Sequence, residues 1–106
     1  MNDACISPRA TAEPPLHARA AELIRDGRLP CRAPDRIFGG YGVGNICGLC
    51  AALVGVAEQE YELEFLPPGS GTPTVIHLHF RCFAIWEYER IRVAKGAAAV
   101  AYHPPA

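Results

Sequence analysis

The sequence lacks any run of about 18 apolar residues, the length a helix needs to cross a bilayer, so no membrane span is expected. Its opening residues lack the basic-then-apolar layout of a secretory signal, which leads one to expect a cytoplasmic protein with reduced thiols. It lacks net charge, with a formal value of −1. A near-neutral chain is a poor default binder of nucleic acid, because phosphate neutralisation supplies most non-specific affinity. It also lacks a nucleotide fingerprint. Gly39, Gly40, Gly42 and Gly44 crowd one loop, but neither G-x-G-x-x-G after a strand nor G-K-[ST] is present. No internal repeat is evident. No pairing of a nucleophile with a base can be read, so the chain is not expected to be an enzyme. Finally, it is short. With 106 residues, many of its hydrophobic half being alanine, it has room for one domain and a marginal core.

What is present answers that shortage. Cys47-Gly48-Leu49-Cys50 is a C-x2-C pair, and His79-Phe80-Arg81-Cys82 is an H-x2-C pair. Each pair sets two thiolate or imidazole donors close enough to share one ion, and together they make the closed four-donor set that suits structural zinc. The expected ligands are Cys47, Cys50, His79 and Cys82, holding one Zn2+. His77 shares a strand face with His79 but stands four residues before Cys82, awkward at a strand-to-helix corner. It is expected to pack or to support a ligand. N–H groups of the turn after Cys47 are expected to point at its sulfur and favour the thiolate. Five cysteines is an odd number, which argues against a full disulfide framework. Cys5 is expected to be an incidental thiol, and Cys31, without a partner at metal spacing, a surface thiol in the first place or else a substitute ligand. Cys47-Gly48-Leu49-Cys50 also looks like a C-G-x-C redox site, yet it follows a glycine loop rather than a strand, outside the βαβ context that chemistry needs.

The elements around these pairs follow from periodicity. Residues 1–13 have no useful pattern and are expected to form a flexible arm. Pro15 to Asp26 reads as a helix, with Leu16, Ala20, Leu23 and Ile24 on one face and Gly27 as its stop. His17 is off that face and is expected in solvent. Residues 29–46 carry too many prolines and glycines for a regular element, so a loop is expected, with Ile37, Phe38 and Tyr41 packed beneath the metal site. From Glu58 to Phe65 the chain alternates: Tyr61, Leu63 and Phe65 face one way, and Glu58, Glu60, Glu62 and Glu64 the other. That is a half-buried strand with an acidic, solvated outer face. Thr74 to Phe80 is a second strand, antiparallel to the first. Residues 81–95 read as a helix ending at Gly96, with an apolar stripe of Ala84, Tyr88 and Ile91. Its wet side is expected to carry the ion pairs Glu87–Arg90 and Glu89–Arg92. Residues 14–96 form the expected zinc-stabilised domain and 97–106 a flexible tail, in which His103 is not a ligand.

The ligand pattern, with His79-Phe80-Arg81-Cys82-Phe83 as its second half, resembles the zinc fingers of poly(ADP-ribose) polymerase type. The resemblance covers roughly Cys47 to Trp86. It implies a small α+β treble clef, with a knuckle, a β-hairpin and a C-terminal helix around one zinc, to which this chain adds an N-terminal helix. Ala51 follows the second cysteine, where such knuckles often carry glycine. The chain also resembles small bacterial proteins ending in a Cys-Phe-x-x-Trp-Glu-x-Glu-Arg helix. The function expected is a non-catalytic module that contacts another macromolecule, a protein in the first place, through Glu60, Glu62 and Glu64 or the arginine-bearing N-terminal helix. Two alternatives stand beside it. One is DNA binding, which the named family performs at broken ends, through Arg19, Arg25, Arg28, Arg32 and Arg36. The other is a redox-responsive zinc–thiolate switch that releases its metal when the thiolates oxidise.

Overall fold

The computed structural model describes residues 13–101. Cys5 and most of the expected N-terminal arm lie outside them, as do residues 102–106 with His103. The elements are a helix α1 (Glu13–Arg25), strands β1 (Arg36–Tyr41), β2 (Gln59–Phe65) and β3 (Thr74–His79), and a helix α2 (Phe80–Ala101). The class is α+β, with a three-stranded antiparallel sheet in the order β1-β2-β3. Two compact units divide the chain. One is built on α1 and on α2 from Ile85 onward, and the other spans Ala33–Ala84.

In the helical unit α1 ends one residue before the expected point, and its buried face of Ala20, Ala21, Leu23 and Ile24 keeps the helical spacing. On α2 the buried positions are Ile85, Trp86 and Glu89. The expected stripe of Ala84, Tyr88 and Ile91 instead faces solvent, Tyr88 being 59% exposed. Counting large apolar residues misled here because the inward face of α2 includes a carboxylate. Trp86 donates its indole N–H to the Pro30 carbonyl at 2.9 Å, which satisfies the one polar atom of a fully buried ring. The pairs Glu87–Arg90 and Glu89–Arg92 both form, at 2.9 Å. Glu89 is not on the wet side, however. It is buried, and it also accepts from His17 Nδ1 at 2.7 Å. His17 is therefore held, edge-on to the Tyr88 ring, rather than free in solvent. The helix does not stop at Gly96. The alanines beyond it have the highest helix propensity, and one glycine costs only about 1 kcal/mol against them.

In the sheet unit β2 and β3 lie where alternation put them and pair antiparallel as expected, in a register that sets Tyr61 opposite Leu78 and Leu63 opposite Ile76. Leu63, Phe65 and Leu78 are buried. Tyr61 closes the end of that face by edge-on contacts with Phe80 and Phe83. β1 corrects the expected loop. It pairs along its whole length with β2, Ile37 opposite Leu63 and Gly39 opposite Tyr61. A side chain at Gly39 would stand 3.1 Å from the Tyr61 ring, so the residue that reads as a strand breaker is the one that admits its neighbour. Ile37, Phe38 and Tyr41 do not pack beneath the metal site. They are exposed along an edge strand.

The chain between β1 and β2 folds back on itself. Gly44 N–H donates to the Val54 carbonyl, Val54 N–H to Asn45, and Cys47 N–H to Ala52, with Ile46 bridged to Leu53. The return is tight. A Cβ on Gly42 would lie 2.4 Å from the Gly55 carbonyl oxygen and 2.5 Å from that of Val54. At the tip Ala51 adopts φ of 67°, the left-handed region that a non-glycine residue rarely enters. Its N–H closes the turn onto the Cys47 carbonyl at 3.0 Å.

Candidate metal centre

Three elements deliver four donors to one point. The 42–55 return presents Cys47 and Cys50 on its turn, β3 presents His79 as its last residue, and α2 presents Cys82 within its first turn. One donor atom from each of the four lies within 4.8 Å of all the others. Cys47 is 1% exposed and Cys82 is fully buried, while Cys50 and His79 are half-buried at the rim of the set. His79 Nδ1 stands 3.4 Å from the Cys50 sulfur and 3.9 Å from that of Cys82. The four residues expected from spacing alone are positioned to coordinate a metal ion.

The ring of His79 is also oriented. Its Nε2 lies 3.1 Å from the Leu53 carbonyl, an atom that can only accept. The proton therefore sits on Nε2, and Nδ1 turns its lone pair toward the three sulfurs. Glu58 adds an oxygen 3.4 Å from the same Nε2. A ligating imidazole fixed through its other nitrogen is the usual support of a metal site. Glu58 is in turn anchored by the Gly55 N–H at 2.7 Å, which is the first cause of its lowered pKa.

The thiols are unequal. The Cys82 thiol donates to the Cys47 sulfur, and against the opposing effect of burial the N–H groups of Cys50, His79 and Leu49 add to it, pulling Cys47 down to about 4. The Leu49 and Cys50 N–H groups reach that sulfur at 3.4 and 3.5 Å, the turn geometry expected of the C-x2-C pair. Donating that bond, together with burial and the charge on Cys47, raises Cys82. Burial raises Cys50. Burial also opposes charge on His79, yet the Cys47 thiolate and Glu58 outweigh it and raise the imidazole. One thiolate is thus stabilised before any cation arrives, and a divalent ion would take over the role that shared protons play among the other donors. Comparison with known families, curated proteins and solved structures returns no match, so this geometry carries the functional reading by itself.

The other expected site residues separate. Arg19, Arg25, Arg28 and Arg32 are exposed positions of the helical unit. Arg36 belongs to β1 and is paired with Glu64 at 3.1 Å, directly opposite it in register. Glu60, Glu62 and Glu64 share one sheet face with His77 and His79, but they are not the solvated stripe that alternation suggested. Glu60 is buried. Its Oε2 lies 2.6 Å from His77 Nδ1 and accepts from the Asn45 side-chain amide at 3.3 Å. Alternation fixes which face a residue occupies, not what covers that face. Here Asn45 leads into the C-x2-C turn, and Gly48 donates its N–H to the His77 carbonyl, so the turn is fastened to β3 and Asn45 to the acidic face. His77 is accordingly a packed, paired residue. Cys31 is an exposed free thiol outside the four-donor set, 3.9 Å from the Arg90 carbonyl. Among the described residues no helix is long and apolar enough to cross a membrane.

Proposed function

We propose that the chain is a non-catalytic treble-clef module, stabilised by one structural Zn2+ and built to contact another protein in the cytoplasm. The carrying observation is the convergence of Cys47, Cys50, His79 and Cys82 within 4.8 Å. Tetrahedral zinc, with bonds of about 2.3 Å to sulfur and 2.0–2.1 Å to nitrogen, wants neighbouring donors roughly 3.5–3.8 Å apart, and the His79 contacts bracket that spacing. Three thiolates and an imidazole select zinc over harder cations. Four protein donors fill its tetrahedron, which favours a structural role over a hydrolytic one. The bound ion supplies folding free energy, on the order of 10 kcal/mol, to a unit whose apolar core is small.

A protein partner is supported by the surface chemistry. The sheet unit exposes Ile37, Phe38, Tyr41, Val43, Ile46, Leu53 and Val56, more large apolar side chains than so small a unit needs to show. The helical unit adds a hollow of about 200 Å³ lined by Tyr88, Ile91, Arg92 and Lys95. The test is elemental analysis of protein purified without added metal, repeated on Cys50→Ser. One zinc per chain, lost from the variant together with cooperative melting, is the expected result. DNA retardation at low salt that collapses steeply as salt rises would replace the protein partner with a phosphate backbone.

A further inference from the structure

We propose a second, exchangeable divalent-cation site on the sheet face beside the first, formed by Glu60, Glu62 and His77. The three side chains come from adjacent strands. Glu60 and Glu62 are neighbours on one face of β2, and His77 stands opposite Glu62 on β3. One donor atom of each lies within 4.8 Å of the other two. Both carboxylates converge on a single nitrogen: His77 Nδ1 is 2.6 Å from Glu60 Oε2 and 4.0 Å from Glu62 Oε1. Sheet positions hold such a set rigidly, better than a loop would.

An independent observation points to a ligand. The Glu60 side chain is 8% exposed, and both of its hydrogen-bonding neighbours, His77 and Asn45, reach the same oxygen, Oε2. Oε1 is buried and has no hydrogen-bond partner. A carboxylate buried with one oxygen unsatisfied is costly, and a cation that takes both oxygens of Glu60 relieves it. With metal–donor bonds of about 2.1 Å, donor separations of roughly 3.0 Å (octahedral) to 3.4 Å (tetrahedral) result, so entry of the ion replaces the proton on Nδ1 and opens the 2.6 Å contact by roughly 0.4–0.8 Å.

The donor set defines the class. Two carboxylates and an imidazole suit zinc, cobalt or manganese rather than magnesium or calcium, which prefer all-oxygen shells. Three donors leave positions for water, so this ion binds more weakly than the one held by three thiolates and His79, and exchanges faster.

Titration of the full chain with Co2+ separates the two sites. Cobalt on the cysteines gives intense thiolate charge-transfer absorption, whereas cobalt on Glu60, Glu62 and His77 gives weak d–d bands alone. Expected is a second equivalent without charge transfer that weakens about tenfold or more in Glu62→Gln. Glu62 is 42% exposed, so the fold tolerates that change. In the unsubstituted protein loaded with zinc, the Nδ1 resonance of His77 should shift on the second equivalent. The proposal is overturned by a single equivalent up to millimolar metal, by a second whose affinity Glu62→Gln leaves unaltered, or by a silent His77 resonance. Failure of the thiolate band alone would count against the structural zinc and not against this site.

Discussion

The helical unit buries Ala20, Ala21, Leu23, Ile24, Leu29, Ile85 and Trp86, and its polar knot is His17, Glu89 and Arg92. The sheet unit buries Leu49, Val54, Leu63, Phe65 and Leu78 and, among them, two thiols, Cys47 and Cys82. The first set is what two amphipathic helices ordinarily hide. The second ends in a cluster of protons shared among sulfurs, which an ion stabilises far better than hydrogen bonds do. Two segments of one short chain thus fill their interiors differently, one with aliphatic and indole surface, the other partly with thiols of a four-donor set positioned to coordinate a metal ion.

Metal removal should expose that difference most sharply. Chelation, or Cys82→Ser, should remove a stabilisation on the order of 10 kcal/mol from the sheet unit. In hydrogen exchange, the amides of β2 and β3 should lose protection before those of α1. Equal loss in both places would mean that the units are not energetically distinct. The mirror-image change is Trp86→Ala. It removes a fully buried ring and leaves the Pro30 carbonyl without its donor, at a cost of about 3–5 kcal/mol in chemical denaturation. Zinc affinity in the folded protein should be unchanged.

Within the sheet unit Gly42→Ala drives a methyl group into two backbone carbonyls, and backbone cannot swing aside. A destabilisation of about 1–3 kcal/mol, with weaker metal binding, is expected from a chelator competition. In the helical unit Glu89→Gln should cost about 1–2 kcal/mol at neutral pH by weakening two charge-assisted bonds. Burial pushes the Glu89 carboxyl up, but His17 and Arg92 together leave it lowered from its ordinary value of 4.5. Its contribution is therefore full above that value and disappears as pH falls through the lowered one. The stability difference between Glu89→Gln and the parent should shrink on acidification below about 4.5. The smallest effect is at Ala51. Its left-handed φ costs about 1–2 kcal/mol for an L-residue. Glycine relieves that but loses about 0.5–1 kcal/mol of chain entropy. Ala51→Gly should therefore stabilise the turn by roughly 0.5 kcal/mol, read as a small upward shift in melting temperature.

Local signals were the readable ones. Cys47 and Cys50 are near neighbours in sequence, as are His79 and Cys82, so spacing named all four donors. Alternation along Glu58–Phe65 placed β2 within one residue. What spacing could not see was pairing across the chain. β1 is a strand because β2 accepts it, with Gly39 making room for Tyr61, and its exposed Ile37 and Tyr41 carry no inward pattern. Glu60 alternates like a surface residue, yet Asn45 and His77 cover it. His17 meets Glu89 only because α1 and α2 pack together within one unit, a contact that spans 72 positions of sequence.

The helix α2 belongs to both units: its opening residues close the sheet unit with Cys82, and from Ile85 onward it is core to the other. The sheet unit is thus an insertion between the two stretches that make the helical one. Excised at its own boundary, it would end two residues past Cys82, in a stub of helix too short to hold its shape in water. A fragment trimmed to Ala33–Ala84 would keep every donor in its covalent sequence and still present the last of them on fraying backbone. Expression boundaries for this protein therefore belong beyond α2, however self-sufficient the cysteine-rich segment looks on paper.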